Sequence, residues 1–111
     1  MIELILKNWL GQKLSVPVYL EEPASPPKSY VLIEKTGSGE LNRLKNATFA
    51  VQTYATSLFE AATLNEQIKI IMDEITVLDE VASVKLNTDY NFTDTETKRY
   101  RYQAIYDLKH Y

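Results

Sequence analysis

Few side chains in this sequence have the types and spacing that catalysis requires. His110 is the only histidine and the penultimate residue, and there is no cysteine. Because chain ends fray, His110 is poorly placed to serve as the base of a nucleophile. A single histidine without cysteine also excludes a structural zinc site. Neighbouring side chains point about 100° apart on a helix, so adjacent carboxylates do not form an acid–base pair; such neighbours occur at Glu21/Glu22, Asp73/Glu74 and Asp79/Glu80. The sequence predicts no enzyme, no cofactor and no metal site.

Two short motifs are similar to ligand loops but fail where the geometry is strictest. Residues 37–39 are Gly-Ser-Gly, as in a phosphate-binding loop, but Glu40 follows them, and a carboxylate there would repel phosphate. Residues 89–93 begin like a calcium loop, but Asp94 stands where that loop needs glycine and Tyr100 where it needs glutamate. Neither segment is interpreted as a ligand site, and no small-molecule substrate is expected.

Charged residues are distributed unevenly along the chain. The net charge is −3, which argues against a protein that binds nucleic acid with its whole surface. Residues 57–80 contain six acidic residues and one basic residue, Lys69, whereas residues 98–109 contain four basic residues and one acidic residue, Asp107. Two interpretations stay open: solvated faces, or complementary patches on subunits that pack head to tail.

Basic and aromatic residues alternate near the C-terminal end of the sequence. Arg99 and Arg101 would occupy one face of a predicted strand, and Tyr100, Tyr102 and Tyr106 the other. Arginine and aromatic side chains together can stack on single-stranded nucleic acid, but the alternation separates the rings from the guanidinium groups. Tyrosine and arginine are also enriched at protein interfaces. We therefore interpret this segment as part core and part protein interface.

Two amphipathic helices are predicted from apolar residues that recur with helical spacing. The first covers Ile2–Lys13, and the second covers residues 58–75, where Ser57 and Glu60 have the form of a capping box. Charges interrupt the apolar run of the first helix, so it does not resemble a signal peptide, and nothing approaches the ~20 apolar residues of a membrane span. We expect the protein to be made and folded in a cytoplasm, without a membrane partner.

Five strands are predicted from alternation and from β-branched or aromatic content; they cover residues 16–20, 30–33, 47–55, 84–92 and 99–109. Three prolines make residues 21–28 an extended loop. Residues 36–39, with two glycines, end the second strand, so residues 40–46 are predicted to form a long loop or a flexible hairpin. The last two strands should form a hairpin around a turn at residues 93–95.

These elements predict one α+β domain over residues 1–111, in the order helix, three strands, helix and two-strand hairpin, with both helices packed on a mostly antiparallel sheet. The loop at residues 37–46 contains only two apolar residues. We predict that it is poorly ordered in the isolated subunit and becomes ordered against a neighbouring chain. The candidate interface residues are Leu41, Arg43, Leu44, Lys45, Arg99 and Arg101.

Several segments, taken in order, have a familiar combination of sequence and predicted structure. They are PVYLEEP (17–23), YVLIEKTG (30–37), ATFAVQTY (47–54), EAA (60–62), LN (64–65), LNTDYNF (86–92) and YRYQA (100–104). Together they resemble phage tail-terminator and tail-completion proteins, which join tail to head, from siphophages and prophages of Gram-positive bacteria. The resemblance covers nearly the whole chain, and it depends on the combined order because each motif alone is only a strand or helix pattern.

Such a relationship implies a structural virion subunit without catalytic activity. It would form a ring, typically a hexamer, at the head-proximal end of the tail, where it stops tail-tube polymerisation and presents a surface to the head. The implied partners are copies of itself, the tail-tube protein and the head-connector protein; the implied location is the virion tail, assembled in the host bacterial cytoplasm. Two alternatives stay open: a head-completion or minor capsid protein, and a small nucleic-acid-binding module supported only by residues 98–101.

Overall fold

The two helices and five strands follow one another in the predicted order in the computed structural model, which describes residues 1–111. The elements are α1 (Ile2–Lys13), β1 (Val18–Tyr19), β2 (Tyr30–Leu41), β3 (Leu44–Ala55), α2 (Leu58–Asp73), a 3₁₀ helix (Ile75–Val77), β4 (Val81–Asn91) and β5 (Tyr100–His110). The predicted α+β class is confirmed, and α1 has the bounds that its apolar spacing predicts.

The strands form one sheet in the order β1-β2-β3-β5-β4. Only β1, which pairs with β2, is parallel to its neighbour; the other three pairings are antiparallel. Both helices cover the same side of the sheet, where they bury Phe49 and Val51 of β3 and Tyr106 of β5. We call this side the helix face and the opposite side the open face. Strand alternation therefore assigns the side chains of β3 to two different environments.

The helices pack through apolar faces and one specific hydrogen bond. Trp9 of α1 donates from Nε1 to the carbonyl oxygen of Ile71 in α2 at 3.0 Å. At the start of α2, Ser57 Oγ accepts from the amide of Glu60 at 3.1 Å, but the Glu60 carboxylate accepts from the hydroxyl of Thr56. Half of the predicted capping box is thus present. The helix ends at Asp73, before the predicted residue 75, because the next amide bonds back to the Ile71 carbonyl and tightens the chain into the 3₁₀ turn.

The prediction that residues 36–39 end the second strand is wrong; of the two structures predicted for residues 40–46, the hairpin is present and the long loop is not. Strands β2 and β3 pair without interruption up to Leu41 and Leu44, and only Asn42 and Arg43 connect them, with φ of 54° and 67°. Two central residues with positive φ give a tight turn that matches the twist of the flanking strands. Cross-strand pairing overrides the weak strand propensity of the glycines. An added Cβ at Gly39 would lie 2.9 Å from Asn46 Oδ1, the end of a flexible side chain.

A bulge in β4 changes which side chains share a face. Strict alternation over the predicted strand at residues 84–92 would place Val84, Leu86 and Tyr90 on one face, but the register shifts between Leu86 and Thr88. Leu86 pairs with Tyr106 of the helix face, whereas Tyr90 pairs with Gln103 of the open face. A single extra residue in a strand moves every side chain after it to the opposite face of the sheet. The second half of β4 therefore contributes its aromatic side chain to the open face.

Tyr106 should tolerate loss of its hydroxyl. The residue is 1% exposed and its hydroxyl has no hydrogen-bond partner, and burial raises the pKa of that hydroxyl above its usual range. A buried unpaired donor destabilises the fold. We expect the free energy of unfolding of Tyr106→Phe to equal that of the wild type or to exceed it by up to about 1 kcal/mol at pH 7 in a urea titration.

The matched control is Tyr30→Phe, because the Tyr30 hydroxyl donates to Glu22 Oε1 at 2.6 Å; that variant should lose about 0.5–1.5 kcal/mol. A raised pKa in the folded state means stability that is present below the unfolded pKa of about 10 and is lost as the pH rises. Tyr106→Phe should therefore lose less stability than the wild type above pH 10. A clear loss of stability in Tyr106→Phe at pH 7 would contradict the absence of a partner.

Candidate functional site

A chain of polar and aromatic side chains crosses four strands on the open face. We call it the open-face network; its members are Tyr30, Gln52, Tyr54, Tyr90, Arg101 and Gln103. The rings of Tyr30 and Tyr54 stack with centroids 4.5 Å apart, and the Tyr54 hydroxyl donates to Gln52 Oε1 at 3.1 Å. Gln52 then donates to Gln103 Oε1 at 3.0 Å, and Gln103 donates to the Tyr90 hydroxyl. These bonds satisfy the two buried glutamines, which would otherwise cost stability.

Arg101 connects this network to the end of β4. Its Nε donates to the carbonyl oxygen of Phe92 at 3.0 Å, and one terminal nitrogen donates to the Tyr54 hydroxyl at 2.7 Å. The guanidinium also lies over the Phe92 ring, 4.2 Å from its centroid, an arrangement that attracts a cation to an aromatic face. The side chain of Arg101 is therefore already bound within its own subunit.

Arg99 connects the proline-rich segment, residues 21–28, to the sheet. It donates to Glu22 Oε1 at 2.6 Å and to the Tyr30 hydroxyl, and its guanidinium lies 4.8 Å from the centre of the Tyr54 ring. Hydrogen bonds from Tyr30 and from Arg99 hold the pKa of the Glu22 carboxyl below its usual value. The same carboxylate raises the pKa of Arg99. Glu22 thus neutralises Arg99, one of the two arginines among the predicted interface residues.

The expectation that guanidinium groups and rings lie on different faces is wrong. Within β5 the alternation holds, but Tyr54 of β3 and Tyr90 of β4 bring rings to the face of Arg101. Alternation in one strand does not determine what the neighbouring strands contribute. The ring of Tyr54 contacts Tyr30 and both guanidinium groups, so its faces are occupied by the chain's own side chains. This arrangement stabilises the subunit and leaves little of the Tyr54 ring for a nucleic-acid base.

The other predicted interface residues lie at the tip of the β2–β3 hairpin. Leu41 is 72% exposed, Arg43 and Lys45 are exposed without an ion pair, and Leu44 is partly buried. Lys45 pairs with His110 and Tyr54 pairs with Arg101, so nine residues of β3, about 30 Å, separate the tip from the arginines. The six candidate residues therefore form two groups at opposite ends of the sheet.

The sheet has an unpaired strand edge at each of its two lateral ends, one on β2 and one on β4, and the sequence patterns do not predict them. Strand β1 pairs only with Val31 and Leu32, which leaves the outer edge of residues 33–41 of β2 free. Strand β4 pairs only with β5, so its outer edge has no strand partner over Val81–Asn91; only at its start does the Val81 amide donate to the Leu78 carbonyl oxygen. Unpaired N–H and C=O groups along a strand are a template for another strand. These two edges and the hairpin tip are the surfaces most open to another chain.

Comparison with known proteins does not assign the chain to a family. No protein-family model matches it, and no curated protein is significantly similar to it. Neither helix combines the length and hydrophobicity that crossing a membrane requires. No three histidine, cysteine or carboxylate side chains come together as a potential metal site.

Proposed function

We propose that this protein is a structural virion subunit that forms a ring at the head-proximal end of a phage tail, ends polymerisation of the tail tube and joins the tail to the head. The observation that carries this proposal is the pair of unpaired strand edges, one on β2 and one on β4, at the two lateral ends of one sheet. Two different surfaces on opposite sides favour head-to-tail contacts, which close into a ring when the rotation permits. The sequence resemblance to tail-terminator proteins supplies the position of the ring and its typical sixfold symmetry.

The two ends of the sheet would then form the two rims of the ring. One rim would present the hairpin tip with Leu41, Arg43 and Lys45, and the other would present the proline-rich segment held by Glu22 and Arg99. The molecule is 45 Å long and about 25 Å across, so its ends can contact different partners. Different chemistry at the two rims suits a ring that binds the tail tube on one side and the head connector on the other.

Ring formation is tested first with the purified protein. Sedimentation velocity should show a species of about six times the subunit mass of 12.8 kDa, and electron microscopy of that species should show rings. Head-to-tail contacts are also expected to give an assembly that does not grow beyond the closed ring. A monomer or a dimer at all concentrations would contradict the proposed ring.

The role at the tail is tested in a phage that lacks the gene for this protein. Tails should then have uncontrolled lengths and should not join heads, and added purified protein should restore both length control and joining. A head-completion protein would instead leave tails of normal length beside unfinished heads. A nucleic-acid-binding module would bind DNA with an affinity that falls steeply as the salt concentration rises, because each phosphate contact releases counterions.

A further inference from the structure

The free edges of β2 and β4 run in opposite directions. Strand β2 is antiparallel to β3, β3 is antiparallel to β5, and β5 is antiparallel to β4. Copies arranged around a ring whose axis follows the strands all keep the same orientation. In such a ring, β4 of one copy meets β2 of the next copy as an antiparallel neighbour, the geometry in which inter-strand hydrogen bonds lie perpendicular to the strands.

Both edges are accessible along most of their length. In β2 every residue from Glu34 to Leu41 is exposed, and in β4 the central residues Lys85–Thr88 are exposed. The two free stretches are of similar length, residues 33–41 and Val81–Asn91. Strand β1 has only two residues, and the pairing of both β2 and β4 with their neighbours contains bulges. Short edge strands and bulges limit non-specific pairing of an exposed edge with other chains.

The charges without partners differ in sign between the two edges. On β2, Lys35 is paired with Glu3 at 3.2 Å, and Glu34 and Glu40 have no ion pair. On β4, Asp89 is paired with Lys69 at 3.0 Å, and Lys85 has no ion pair. Like charges directly opposite each other destabilise a strand pair, and opposite charges stabilise it. Glu40 already lies opposite Lys45 of β3, and Lys85 lies opposite Asp107 of β5. The remaining difference, acidic Glu34 on β2 and basic Lys85 on β4, favours pairing of β2 with β4 over pairing of two β2 edges.

We infer that the partner of each edge is a second copy of this chain, with β4 of one subunit adding antiparallel to residues 33–41 of β2 in the next. The subunits then share one continuous sheet around the ring, with the helices on one side and the open-face network on the other. This inference rests on the proposed function, because it explains how the ring closes.

Cysteine cross-linking tests the inference directly, since the chain contains no cysteine. Gly37→Cys places a thiol on the free part of β2, and Thr88→Cys places one on β4; both positions are exposed. Their cross-strand neighbours, Thr48 and Ile105, put both thiols on the open face, and an added Cβ at Gly37 meets no other atom within 4 Å. A mixture of the two single variants, treated with a short bismaleimide, should give cross-linked dimers, and each variant alone should give none. The double variant should give a ladder of cross-linked species that stops at the size of the ring. As a control, Gln12→Cys on α1, also exposed, mixed with Gly37→Cys should give no dimer.

The outcomes distinguish failure of the edge pairing from failure of the proposed ring. Homodimers from either single variant alone would mean that like edges pair, and the inference would be wrong. Rings in sedimentation without cross-links in the mixture would overturn the edge pairing and leave the proposed ring standing. Absence of any ring would overturn both. Hydrogen exchange supplies a second measurement: the amides of residues 33–41 should exchange more slowly in rings than in dissociated subunits, and equal rates would contradict the pairing.

Discussion

Replacing Ile68 with alanine is expected to lower the free energy of unfolding by about 2–5 kcal/mol. Ile68 lies on the inner side of α2 and is 0% exposed within the core that the helices form with the sheet. The substitution removes apolar contacts and leaves a cavity that its neighbours fill only in part. Against the 5–15 kcal/mol that a typical domain has in total, such a loss would lower the unfolding midpoint clearly.

The matched control is Ile70→Ala, which makes the same chemical change two residues away on the same helix. Ile70 is 65% exposed, so its substitution should change the free energy of unfolding by no more than about 0.5 kcal/mol. Both variants are compared with the wild type in a denaturant titration followed by circular dichroism. Equal losses at the two positions would contradict the assigned orientation of α2 on the sheet.

Reversing the charge of Arg101 is expected to destabilise the subunit by about 1–3 kcal/mol. Arg101 donates hydrogen bonds to the Phe92 carbonyl and the Tyr54 hydroxyl, and glutamate can donate neither. The substitution also removes a cation from the faces of two rings and places a carboxylate beside Tyr54. Arg101→Glu should therefore unfold at lower denaturant concentration even where no ring is present.

The control for Arg101→Glu is Lys109→Glu, in the same strand and with the same change of charge. Lys109 is exposed and makes no ion pair, so we expect a change of at most about 0.5 kcal/mol. If Arg101→Glu were as stable as Lys109→Glu, the open-face network would not contribute to folding. The expected result also shows why Arg101 is a poor residue for testing assembly, because loss of the ring could follow from loss of the fold. Exposed Leu41 and Arg43 are better suited to that purpose.

Hydrophobic periodicity predicts the elements of this fold well and their continuity less well. The apolar spacing of α1 and α2 and the alternation of β3 and β5 are local signals that packing preserves. The continuation of β2 through residues 36–41 could not be predicted because residues 36–46 carry glycines and mixed charges, which are typical of loops. The tight turn places Arg43 at a position with φ of 67°, where asparagine or glycine is the usual signal. Pairing with β3 holds the segment in a strand despite its composition.

The open-face network could not be predicted from the sequence because it depends on register. Gln52 and Tyr54 could be assigned to one face by alternation, but their partners come from other strands whose alignment is set by packing. The bulge in β4 moves Tyr90 to this face. Glu22 and Arg99 are 77 residues apart in the chain, so no local pattern connects them. The predicted roles of Arg99 and Arg101 at a subunit interface stay predictions.

The position of β5 in the sheet has a consequence for how the protein is made. This strand follows all the others in the chain, yet it lies between β3 and β4 and holds them in one sheet. On the ribosome, β2 and β3 can form their hairpin early, but β4 has no partner until residues 100–110 have emerged. Nascent chains stalled before that point would expose one side of β3 and the apolar side of β4, a state prone to aggregation. The complete sheet, with its two free outer edges, therefore forms only after translation has passed β5.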